Sequence, residues 1–427
     1  MIDIKLLRES PQAVRVALAR RDPSHEKAID SLLLMDERRR SLLGRVEALK
    51  ADRNRSSEEV ARLKQQKADA TDLLARLKEL SGAIKDLDRE VRSVESDLEQ
   101  VLLRLPNLPL DVLPVGDASA NRVVRTWGEP AAADFPLRPH WELGEALGIL
   151  DLPRGAAIAG SGFPLFLGMG ARLVRSLVNL MLDVHVREHG YVEVAPPLLV
   201  NADSAQGTGQ LPDLKGDMYV TEDGLYLVPT AEVPVTNLHR NAILAADELP
   251  RAYVAYTPCF RREAGAHGRD TRGIIRVHQF DKVELVRFCR PDDSPAELEK
   301  ILSHAESILQ RLNLPYRVVL LATGDVGFAS AMTYDLEVWA AGVGAWLEVS
   351  SASTFTDFQA RRANIRYRPE PRAKPEYVHT LNASALALPR TIISLLENNQ
   401  HPDGSVSVPE VLVPYLGTDR LTRDGTA

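Results

Sequence analysis

The sequence is poor in cysteine and in long apolar runs, and each shortage excludes a class of protein. Its 427 residues include two cysteines, Cys259 and Cys289. They are too few for a four-thiolate zinc site and too far apart for a Cys-x-x-Cys pair, so we expect no structural zinc. No apolar run approaches the ~20 residues that a membrane span needs, and the charged start Met1–Lys5 is unlike a secretory signal. We therefore expect a cytoplasmic protein without a membrane partner.

Positive charge and known phosphate-binding motifs are also scarce. The formal net charge is −7, which is unfavourable for a nucleic-acid binder, because affinity for phosphate comes largely from Lys and Arg that displace counterions. Any contact with RNA would need a local basic face. The sequence has no Gly-x-Gly-x-x-Gly and no Gly-Lys-Ser/Thr loop, so ATP would have to be held by other groups.

Residues 1–105 have the pattern of a helical arm. Apolar side chains recur at alternating steps of three and four from Leu77 to Leu105, as in the a/d seam of a coiled coil, and a weaker seam runs from Met35 to Leu63. Residues 65–72 between them lack apolar periodicity and end in residues that suit a helix N-cap. We expect the chain to reverse there, so that the two helices pair antiparallel. One small helix is expected between Ile4 and about Ala28.

The charges along this arm allow two interpretations. Acidic and basic residues are interleaved in near balance, which is typical of a solvated, salt-bridged coiled-coil face. The alternative is that basic residues near the expected tip line one side and hold an RNA backbone by its shape. These residues are Arg53, Arg55, Arg62, Lys64, Lys67 and Arg76. The sequence alone does not choose between the two.

A second domain is expected after a proline-rich linker. A chain of this length predicts two domains, one of them large enough for a full enzyme core. Three prolines between Pro106 and Gly116 prevent helix continuation, which places a linker at 106–117 and a catalytic domain at 118–427. There, helices alternate irregularly with short β-rich runs, which predicts an α+β domain with an antiparallel β-sheet flanked by helices. The runs are 191–194, 226–228, 277–286, 316–320 and 346–349.

Several side chains of this second domain have the chemistry that an ATP site needs. Arg261 and Arg262 follow a strand-like run, and the guanidinium fork suits phosphate oxygens. Glu263 can accept from an exocyclic amine, and Phe280 can stack on a purine. Arg390 lies at the start of an apolar helix, where anions are favoured. Each signal alone is weak, because a surface arginine is usually solvated and a strand phenylalanine usually belongs to the core.

The order of these residues is more specific than any one of them, because it resembles the three motifs of class II aminoacyl-tRNA synthetases. Phe260–Glu263, a loop, Arg276–Phe280 and then Glu284 are similar to the second motif. Leu386–Arg390 is similar to the third, and Gly190–Pro197, which follows a helix, is similar to the first. This resemblance implies the class II catalytic fold and an ATP-dependent ligase.

Longer stretches resemble the seryl-tRNA synthetases within that class, and the arm is where that family carries one. The stretches are Thr208–Pro212, Thr230–Pro234, Gly268–Gly273, Asp335–Trp339, Glu348–Ser351, Asp357–Asn364 and His379–Asn382. The resemblance covers essentially the whole chain. It implies activation of L-serine by ATP and transfer of the seryl group to tRNA(Ser), with tRNA(Sec) as an alternative acceptor, and it implies a homodimer because the first motif is an interface element.

The resemblance also implies roles for individual residues. Arg261 would hold the α-phosphate, Glu263 the adenine amine, Phe280 the adenine ring and Arg390 the γ-phosphate. The residues implied around ATP are Arg261, Arg262, Glu263, Val277, Phe280, Glu348, Val349, Ser350, Ser351 and Arg390. Those implied around serine are Thr230, Ala231, Glu232, Arg261, Glu284 and Ser384. Mg²⁺ carried by ATP would bind Glu348 and Ser351, and the catalytic residues would be Arg261, Arg390 and Glu348.

Two other functions remain as alternatives at this point. A paralogue that activates serine, or a similar amino acid, for an acceptor other than tRNA would have no use for the arm. A non-catalytic RNA-binding relative would have no physical need for Arg261, Glu263, Glu348 and Arg390 in one cleft. Serine-dependent exchange of pyrophosphate into ATP separates both enzymes from the second alternative, and acylation of tRNA separates the two enzymes from each other.

Overall fold

The computed structural model describes residues 1–130, 133–263 and 272–423. Residues 268–271 of the predicted stretch Gly268–Gly273 therefore lie outside the described residues. The chain divides into two compact units, Ile2–Pro106 and Asn107–Ala427 together with Met1. Among the helices in the described ranges, none combines the length and the apolar character that a bilayer crossing requires.

The first unit is helical throughout, with four α-helices in chain order: α1 Ile4–Glu9, α2 Pro11–Ala19, α3 Glu26–Gln65 and α4 Thr71–Leu102. The predicted reversal between the two long helices is confirmed. The prediction of a single small helix before them is wrong, because two helices are present: α1 ends at Glu9 and α2 begins at Pro11. Proline has no backbone N–H and clashes with the preceding turn, so it starts a helix well but interrupts one.

Apolar side chains pack between α3 and α4, and α3 also carries a buried charge. Leu42 and Val46 of α3 pack against Val91 and Val94 of α4, as the periodicity predicts. Asp36, in contrast, is only 1% exposed. Arg8, Arg39 and Arg40 approach its carboxylate to 3.4, 3.5 and 3.0 Å. A carboxylate removed from water needs such partners, because an unpaired buried charge is very unfavourable.

The second unit combines helices with one large sheet and three small ones in the described ranges. Its strands are β1 Arg122–Trp127, β2 Val192–Glu193, β3 Leu199–Val200, β4 Tyr226–Leu227, β5 Ile243–Ala245, β6 Arg251–Phe260, β7 Gln279–Cys289, β8 Tyr316–Leu320, β9 Met332–Ala340, β10 Ala345–Thr356, β11 Arg366–Arg368, β12 Glu376–Tyr377, β13 His379–Ala387, β14 Val406–Ser407 and β15 Arg420–Leu421. Its helices are α5 His140–Ala146, α6 Leu152–Ala159, α7 Met169–Arg187, α8 Ala202–Thr208, α9 Glu232–Thr236, α10 Ser294–Arg311, α11 Phe358–Ala363, α12 Leu388–Asn398 and α13 Val413–Leu416. The small sheets are β12-β11-β5, β14-β15 and β3-β4.

The main sheet has eight strands in the order β1-β8-β9-β10-β13-β7-β6-β2. The predicted antiparallel pairing is confirmed from β1 to β6, and the edge strand β2 departs from it by pairing parallel with β6. The four strands β10, β13, β7 and β6 are consecutive neighbours. Side chains at 261, 284, 348 and 384, which are far apart in sequence, therefore meet on adjacent strands.

Three helices pack against the main sheet. Buried residues of α7, α10 and α12, among them Met181, Ile301 and Ile392, belong to one core cluster with Val254, Leu285 and other residues of the strands. The proline-rich stretch after the arm is also attached to this unit. The backbone N–H of Asn107 donates to the Phe328 carbonyl, and that of Thr323 donates to the Pro114 carbonyl, each at 2.9 Å.

Candidate active site

The hairpin of β6 and β7 places an arginine beside an aromatic ring. Cys259 lies opposite Phe280 in the register, so Arg261, two residues further, lies at the same end of the sheet. Its backbone N–H donates to the His278 carbonyl at 2.9 Å, and its Nε donates to the Pro229 carbonyl at 3.3 Å. These bonds hold the guanidinium 5.2 Å from the centre of the Phe280 ring.

A cavity of about 500 Å³, open to solvent, lies over this hairpin, and we call it the arginine cavity. It is lined by Arg261, Glu263, Ile274, Ile275, Arg276, Val277, Phe280, Lys282, Glu348, Val349, Ser384, Ala387, Pro389 and Arg390. Three guanidinium groups in one cavity favour a ligand with several negative charges, because planar N–H donors match phosphate oxygens. The flat ring of Phe280 in the same lining suits a purine.

Two of the three guanidinium groups that line the arginine cavity, those of Arg276 and Arg390, are paired with carboxylates in this structure. Arg276 pairs with Glu263. Arg390, the third residue of α12, donates from Nε to the Ile275 carbonyl at 3.1 Å and from Nη1 to the Glu348 carbonyl at 2.7 Å. The same Nη1 is 3.5 Å from Oε2 of Glu348. A phosphate group would compete directly with these carboxylates for the arginines.

A second cavity of about 800 Å³, also open to solvent, adjoins the first, and we call it the carboxylate cavity. It is lined by Thr208, Gly209, Gln210, Leu214, Thr230, Glu232, Arg261, Lys282, Glu284, Gly327, Phe328, Ala329, Ser330, Glu348, Ser351, Ser353, Phe355, Asn382 and Ser384. The two cavities share Arg261, Lys282, Glu348 and Ser384. A group bound at this junction can contact ligands on both sides.

Two buried carboxylates dominate the carboxylate cavity. Glu284 is 1% exposed and Glu232 is 7% exposed. Lys282 Nζ is 2.7 Å from Glu284 Oε2 and donates to the Thr230 hydroxyl at 2.8 Å. Asn382 Nδ2 joins the two acids, since it donates to Glu284 at 2.9 Å and to Glu232 at 3.1 Å. The single ammonium of Lys282 does not neutralise both acids, so the cavity favours a cationic ligand.

Burial is the main cause of a raised pKa at Glu232. Removal from water, followed by the charge of Glu284, raises the pKa of Glu232 to about 7. Contact with Gln359 and the charges of Lys282 and Arg261 lower the same pKa. A ligand ammonium placed here would favour the ionised carboxylate further, because an opposite charge stabilises the charged form.

Oxygen ligands suited to a divalent cation lie around Glu348, which lines both cavities, and Ser351, which lines the carboxylate cavity. The Ser351 hydroxyl donates to Asp335 at 2.6 Å and to Glu348 Oε1 at 3.2 Å. Burial and the neighbouring Glu348 charge raise the pKa of Asp335 well above its usual range. Crowded carboxylates beside a hydroxyl fit a hard cation such as Mg²⁺. Within the described ranges, no group of three or more acidic, histidine or cysteine side chains forms a metal site, so ATP would have to supply further ligands.

Three predicted residues lie beside the cavities rather than in their lining. Arg262 extends over the Tyr219 ring, with its guanidinium carbon 5.7 Å from the ring centre. Ser350 is buried and donates to the Ser384 carbonyl at 2.6 Å. Ala231 is buried in a separate apolar cluster. Their assignment to ATP or serine stays a prediction.

Sequence reasoning did not assign Lys282 or Asn382 a role, although both line the carboxylate cavity. For Lys282 a signal was present. Phe280, Lys282 and Glu284 alternate along β7, and residues two apart in a strand face the same side of a sheet. Asn382 precedes the predicted Ser384 by two residues on β13, so the same alternation applies to it, but its contacts with both acids depend on how β13 pairs with β7.

Comparison with known proteins agrees with this geometry at two levels. Residues 219–399 match the family model described as the tRNA synthetase class II core domain (G, H, P, S and T). The antiparallel hairpin with its arginine and phenylalanine, next to a helix that presents a further arginine, thus defines a class II aminoacyl-tRNA synthetase. Residues 1–109 match the seryl-tRNA synthetase N-terminal domain.

Full-length relatives narrow the class to one family. The chain is 54% identical to a serine–tRNA ligase of Carboxydothermus hydrogenoformans over 99% of each chain, and 54% identical to one of Gemmatimonas aurantiaca over 98% of this chain and 99% of the relative. The structure of seryl-tRNA synthetase from Pyrococcus horikoshii complexed with ATP superposes with a TM-score of 0.93 at 38% identity, covering 99% of both chains. A cytoplasmic serine–tRNA ligase from Naegleria fowleri in complex with AMP gives 0.86 at 31% identity, covering 99% of both chains. The chain belongs to the seryl-tRNA synthetase family, and the prediction from sequence is confirmed.

Proposed function

We propose that this chain is a serine–tRNA ligase that activates L-serine with ATP and transfers the seryl group to tRNA(Ser). The observation that carries the proposal is the junction of the two cavities at Arg261. The arginine cavity suits the polyphosphate and purine of ATP, and the carboxylate cavity suits a small molecule with an ammonium group. Relatives of the same family have been crystallised with ATP and AMP, which supports the nucleotide assignment.

The first step follows from the position of Arg261. A serine carboxylate oxygen forms a bond to the α-phosphorus while the bond from that phosphorus to the bridging oxygen of pyrophosphate breaks, and the electron pair leaves with pyrophosphate. Negative charge grows on oxygens that Arg261 faces, and a fixed guanidinium stabilises this charge without reorganisation. No general base is required, since the serine carboxylate is already ionised. Alignment of the two substrates supplies much of the remaining rate.

Arg390 would bind the γ-phosphate after releasing Glu348. Its present contact with the Glu348 carboxylate is long, at 3.5 Å, and the Glu348 side chain is 46% exposed. Glu348 and Ser351 would then be available to Mg²⁺ carried by ATP. The cation supplies further neutralisation of phosphate charge when bound. Glu263, once it leaves Arg276, would accept from the adenine amine.

The carboxylate cavity explains a preference for serine. Glu284 accepts from the Ser384 hydroxyl at 3.3 Å. Together with Glu232 and Thr230, which are also buried, it offers acceptors for an ammonium and a hydroxyl. Alanine would leave a buried acceptor without its hydroxyl partner, which costs about 1–3 kcal/mol for a neutral group and more for a charged one. A site of this type rejects the smaller analogue far better than an apolar cavity does.

The α3–α4 arm is the proposed tRNA-binding element. Arg55, Arg62 and Arg76 pair with acids of the arm, and their side chains remain 75%, 64% and 58% exposed. Exposed pairs of this kind contribute about 0–1 kcal/mol. A tRNA backbone could therefore displace the acids at small cost. The acceptor would be tRNA(Ser), with tRNA(Sec) as a second candidate, and the reaction belongs in the cytoplasm, where charged tRNA is used.

Two assays test the proposal. Serine-dependent exchange of pyrophosphate into ATP reports the first step, and acylation of total tRNA with each of the twenty amino acids reports the whole reaction. We expect exchange and charging with serine alone. Deletion of Asp36–Leu98 should leave exchange intact and abolish charging, whereas a deletion variant that still charges tRNA would refute the role of the arm. Adenylate formation without charging of any tRNA would refute the ligase assignment.

A homodimer is part of the same proposal. The first motif, Gly190–Pro197, includes the short edge strand β2, where Val192 is 59% exposed, and Leu199 just beyond the motif is 44% exposed. An edge strand with exposed apolar side chains is a common place for a second copy to pair, and self-complementary contacts of this kind give two-fold dimers. Sedimentation at working concentration should show twice the chain mass, and a monomer would count against this part of the proposal.

A further inference from the structure

Gln359 is a fully buried amide in contact with the carboxylate cavity, but it is not part of its lining. It lies on α11 and is 0% exposed. Its Nε2 donates to Glu232 Oε1 at 2.5 Å and to the Thr208 carbonyl at 3.2 Å. Its Oε1 accepts from the Thr380 hydroxyl at 2.7 Å. One side chain thus joins the acid at the start of α9, the end of α8 and strand β13.

The partners of Gln359 fix the orientation of its amide. The two acceptors, Glu232 and Thr208, both face the NH₂ group, while the donor, the hydroxyl of Thr380, faces the oxygen. A flipped amide would place its oxygen against the Glu232 carboxylate and the Thr208 carbonyl, and both of those bonds would be lost, because neither an ionised carboxylate nor a carbonyl can donate. The cost of leaving such buried groups unpaired is about 1–3 kcal/mol each. The N–H donors therefore point at Glu232 in a single arrangement.

Glu232 depends on this contact because its other neighbours act on it in opposing directions. Glu284 on β7 repels it, and burial disfavours its charge. Lys282 on β7 and Arg261 after β6 attract it from the junction side of the cavity, and Asn382 on β13 donates to its other oxygen at 3.1 Å. Gln359 is the contact that α11 contributes, on the Oε1 side. Hydrogen bonds to the charged form keep a carboxylate ionised.

We infer that Gln359 is a positioning residue for amino-acid recognition, which holds Glu232 in the orientation that receives the substrate ammonium and ties that acid to the segment ending at Thr208. The inference rests on the proposed function, since it assigns Gln359 to the serine side of that site. Gln359 does not itself touch the substrate. Its effect is expected on serine and not on ATP, because its three partners lie outside the arginine cavity lining.

The variant Gln359→Leu tests this inference by removing all three hydrogen bonds while keeping the side-chain size close. In pyrophosphate exchange we expect KM for serine to rise roughly 10- to 100-fold, the equivalent of one hydrogen bond to a charged group. KM for ATP should stay within about threefold, which the same measurement checks. KM for serine is expected to rise at low pH, and in the variant this rise should begin about one pH unit higher. The reason is that the Glu232 carboxylate loses a donor that favours its ionised form.

Two further variants separate positioning from a general structural role. In a Glu232→Gln background, adding Gln359→Leu should change serine KM by less than about threefold, because residues that act through one group are not additive. Thr380→Val keeps both N–H donors but removes the hydroxyl that holds the amide oxygen. It should raise serine KM by about three- to tenfold, and it provides the test if Gln359→Leu does not fold.

Three outcomes would overturn the inference. These are unchanged serine KM in the folded variant, an equal rise in KM for ATP and serine, and a full Gln359→Leu effect in the Glu232→Gln background. Unchanged serine KM in Thr380→Val would overturn it in the same way if that variant has to serve alone. Failure of the proposed function is distinguishable, because the unmodified chain would then show no serine-dependent exchange at all.

Discussion

The arginine cavity and the carboxylate cavity adjoin, but they hold their charges in opposite ways. In the arginine cavity the ion pairs are partly open to water, as for Arg390 and Glu348, whose side chains are 24% and 46% exposed. In the carboxylate cavity, Lys282 and Glu284 are 7% and 0% exposed at the side chain. The pair in the first cavity can be exchanged for a ligand, whereas the pair in the second is a fixed part of the structure.

The energies of the two kinds of pair explain this difference. A partly exposed pair such as Arg390–Glu348 contributes about 0–1 kcal/mol, which a bound phosphate easily exceeds. Breaking a buried pair by removing one partner costs about 3–5 kcal/mol, because an unpaired charge is left in a medium of low polarity. The nucleotide side is thus adjustable, and the amino-acid side is organised before the substrate arrives. Serine and its analogues differ by one small group, so recognition of the amino acid gains most from a fixed site.

Removal of Arg261 should have the largest effect, because this residue serves both cavities. We expect Arg261→Ala to lower the rate of pyrophosphate exchange by roughly 100- to 1,000-fold or more, the usual loss when a donor to developing charge is deleted. Both KM values should rise with it. Arg154→Ala is the matched control, since that α6 side chain is 74% exposed and belongs to neither lining. A selective loss for one substrate alone would contradict the shared position.

Glu284→Gln should separate the two cavities with the next largest effect. The substitution keeps the side-chain shape but leaves Lys282 without its buried counter-charge. We expect KM for serine to rise roughly 100-fold, about 2.7 kcal/mol and just below the cost of a broken buried pair, and KM for ATP to change by less than about threefold. Steady-state exchange with each substrate varied in turn measures both values. Comparable changes in the two KM values would show that the cavities are not independent.

The sequence predicts the arginine cavity better than the carboxylate cavity, for a physical reason. Arg261, Glu263 and Phe280 belong to one hairpin, in which β6 pairs with β7. Residues of one hairpin are close in the chain and close in space, so their proximity can be predicted from the sequence. The strand β13, which borders the site, was not predicted, and of β6 only the end before Arg261 was. The contact of Asn382 with two acids requires the register in which Ser384 faces Glu284 across β13 and β7. Register between distant strands depends on packing, which local pattern does not specify.

In the arm, too, features set by nearby residues are predicted from the sequence and features set by distant residues are not. Its two long helices follow from apolar periodicity, which is a local property. The burial of Asp36 does not, because it depends on Arg8 approaching from α1. Asp36 does continue the three-and-four spacing of Ile29 and Leu32, and two of its arginine partners lie one turn further along α3, but nothing in this local pattern indicates the third partner. Sequence reasoning therefore succeeds where the determinants are close in the chain and misses polar groups whose partners come from elsewhere.

Acid should weaken serine binding about tenfold between pH 8 and pH 6 while ATP binding changes little. The pKa of Glu232 is raised to about 7, so the carboxylate is ionised above that pH and protonated below it. Loss of the charge removes the attraction for the ammonium group, which stays protonated throughout. KM for serine measured at saturating ATP and Mg²⁺ provides the test. A flat profile, or an equal change in KM for ATP, would be incompatible with this assignment.

The same raised pKa has the opposite consequence for folding stability. A carboxyl group whose pKa is higher in the folded than in the unfolded state stabilises most below its unfolded value, and this contribution is lost as pH rises through the folded value. For Glu232 the interval runs from 4.5 to about 7. The free energy of unfolding of Glu232→Gln, measured relative to that of the unmodified chain, should therefore increase when the pH is raised from 5 to 8. The expected increase is on the order of 3 kcal/mol. Thermal unfolding of both chains at the two pH values measures this difference.

Substitution of Phe280 should give the smallest effect and should fall on the nucleotide alone. Its ring lies on the cavity floor beside the Arg261 guanidinium, and stacking on a base contributes about 1–3 kcal/mol. Leucine keeps much of the apolar contact, so we expect Phe280→Leu to raise KM for ATP by roughly fivefold, near the lower end of that range, and to leave KM for serine unchanged. Exchange assays with ATP varied at saturating serine test this expectation. A rise in serine KM instead would show that the ring acts by holding Arg261 in place, because the arginine is the group that both cavities share.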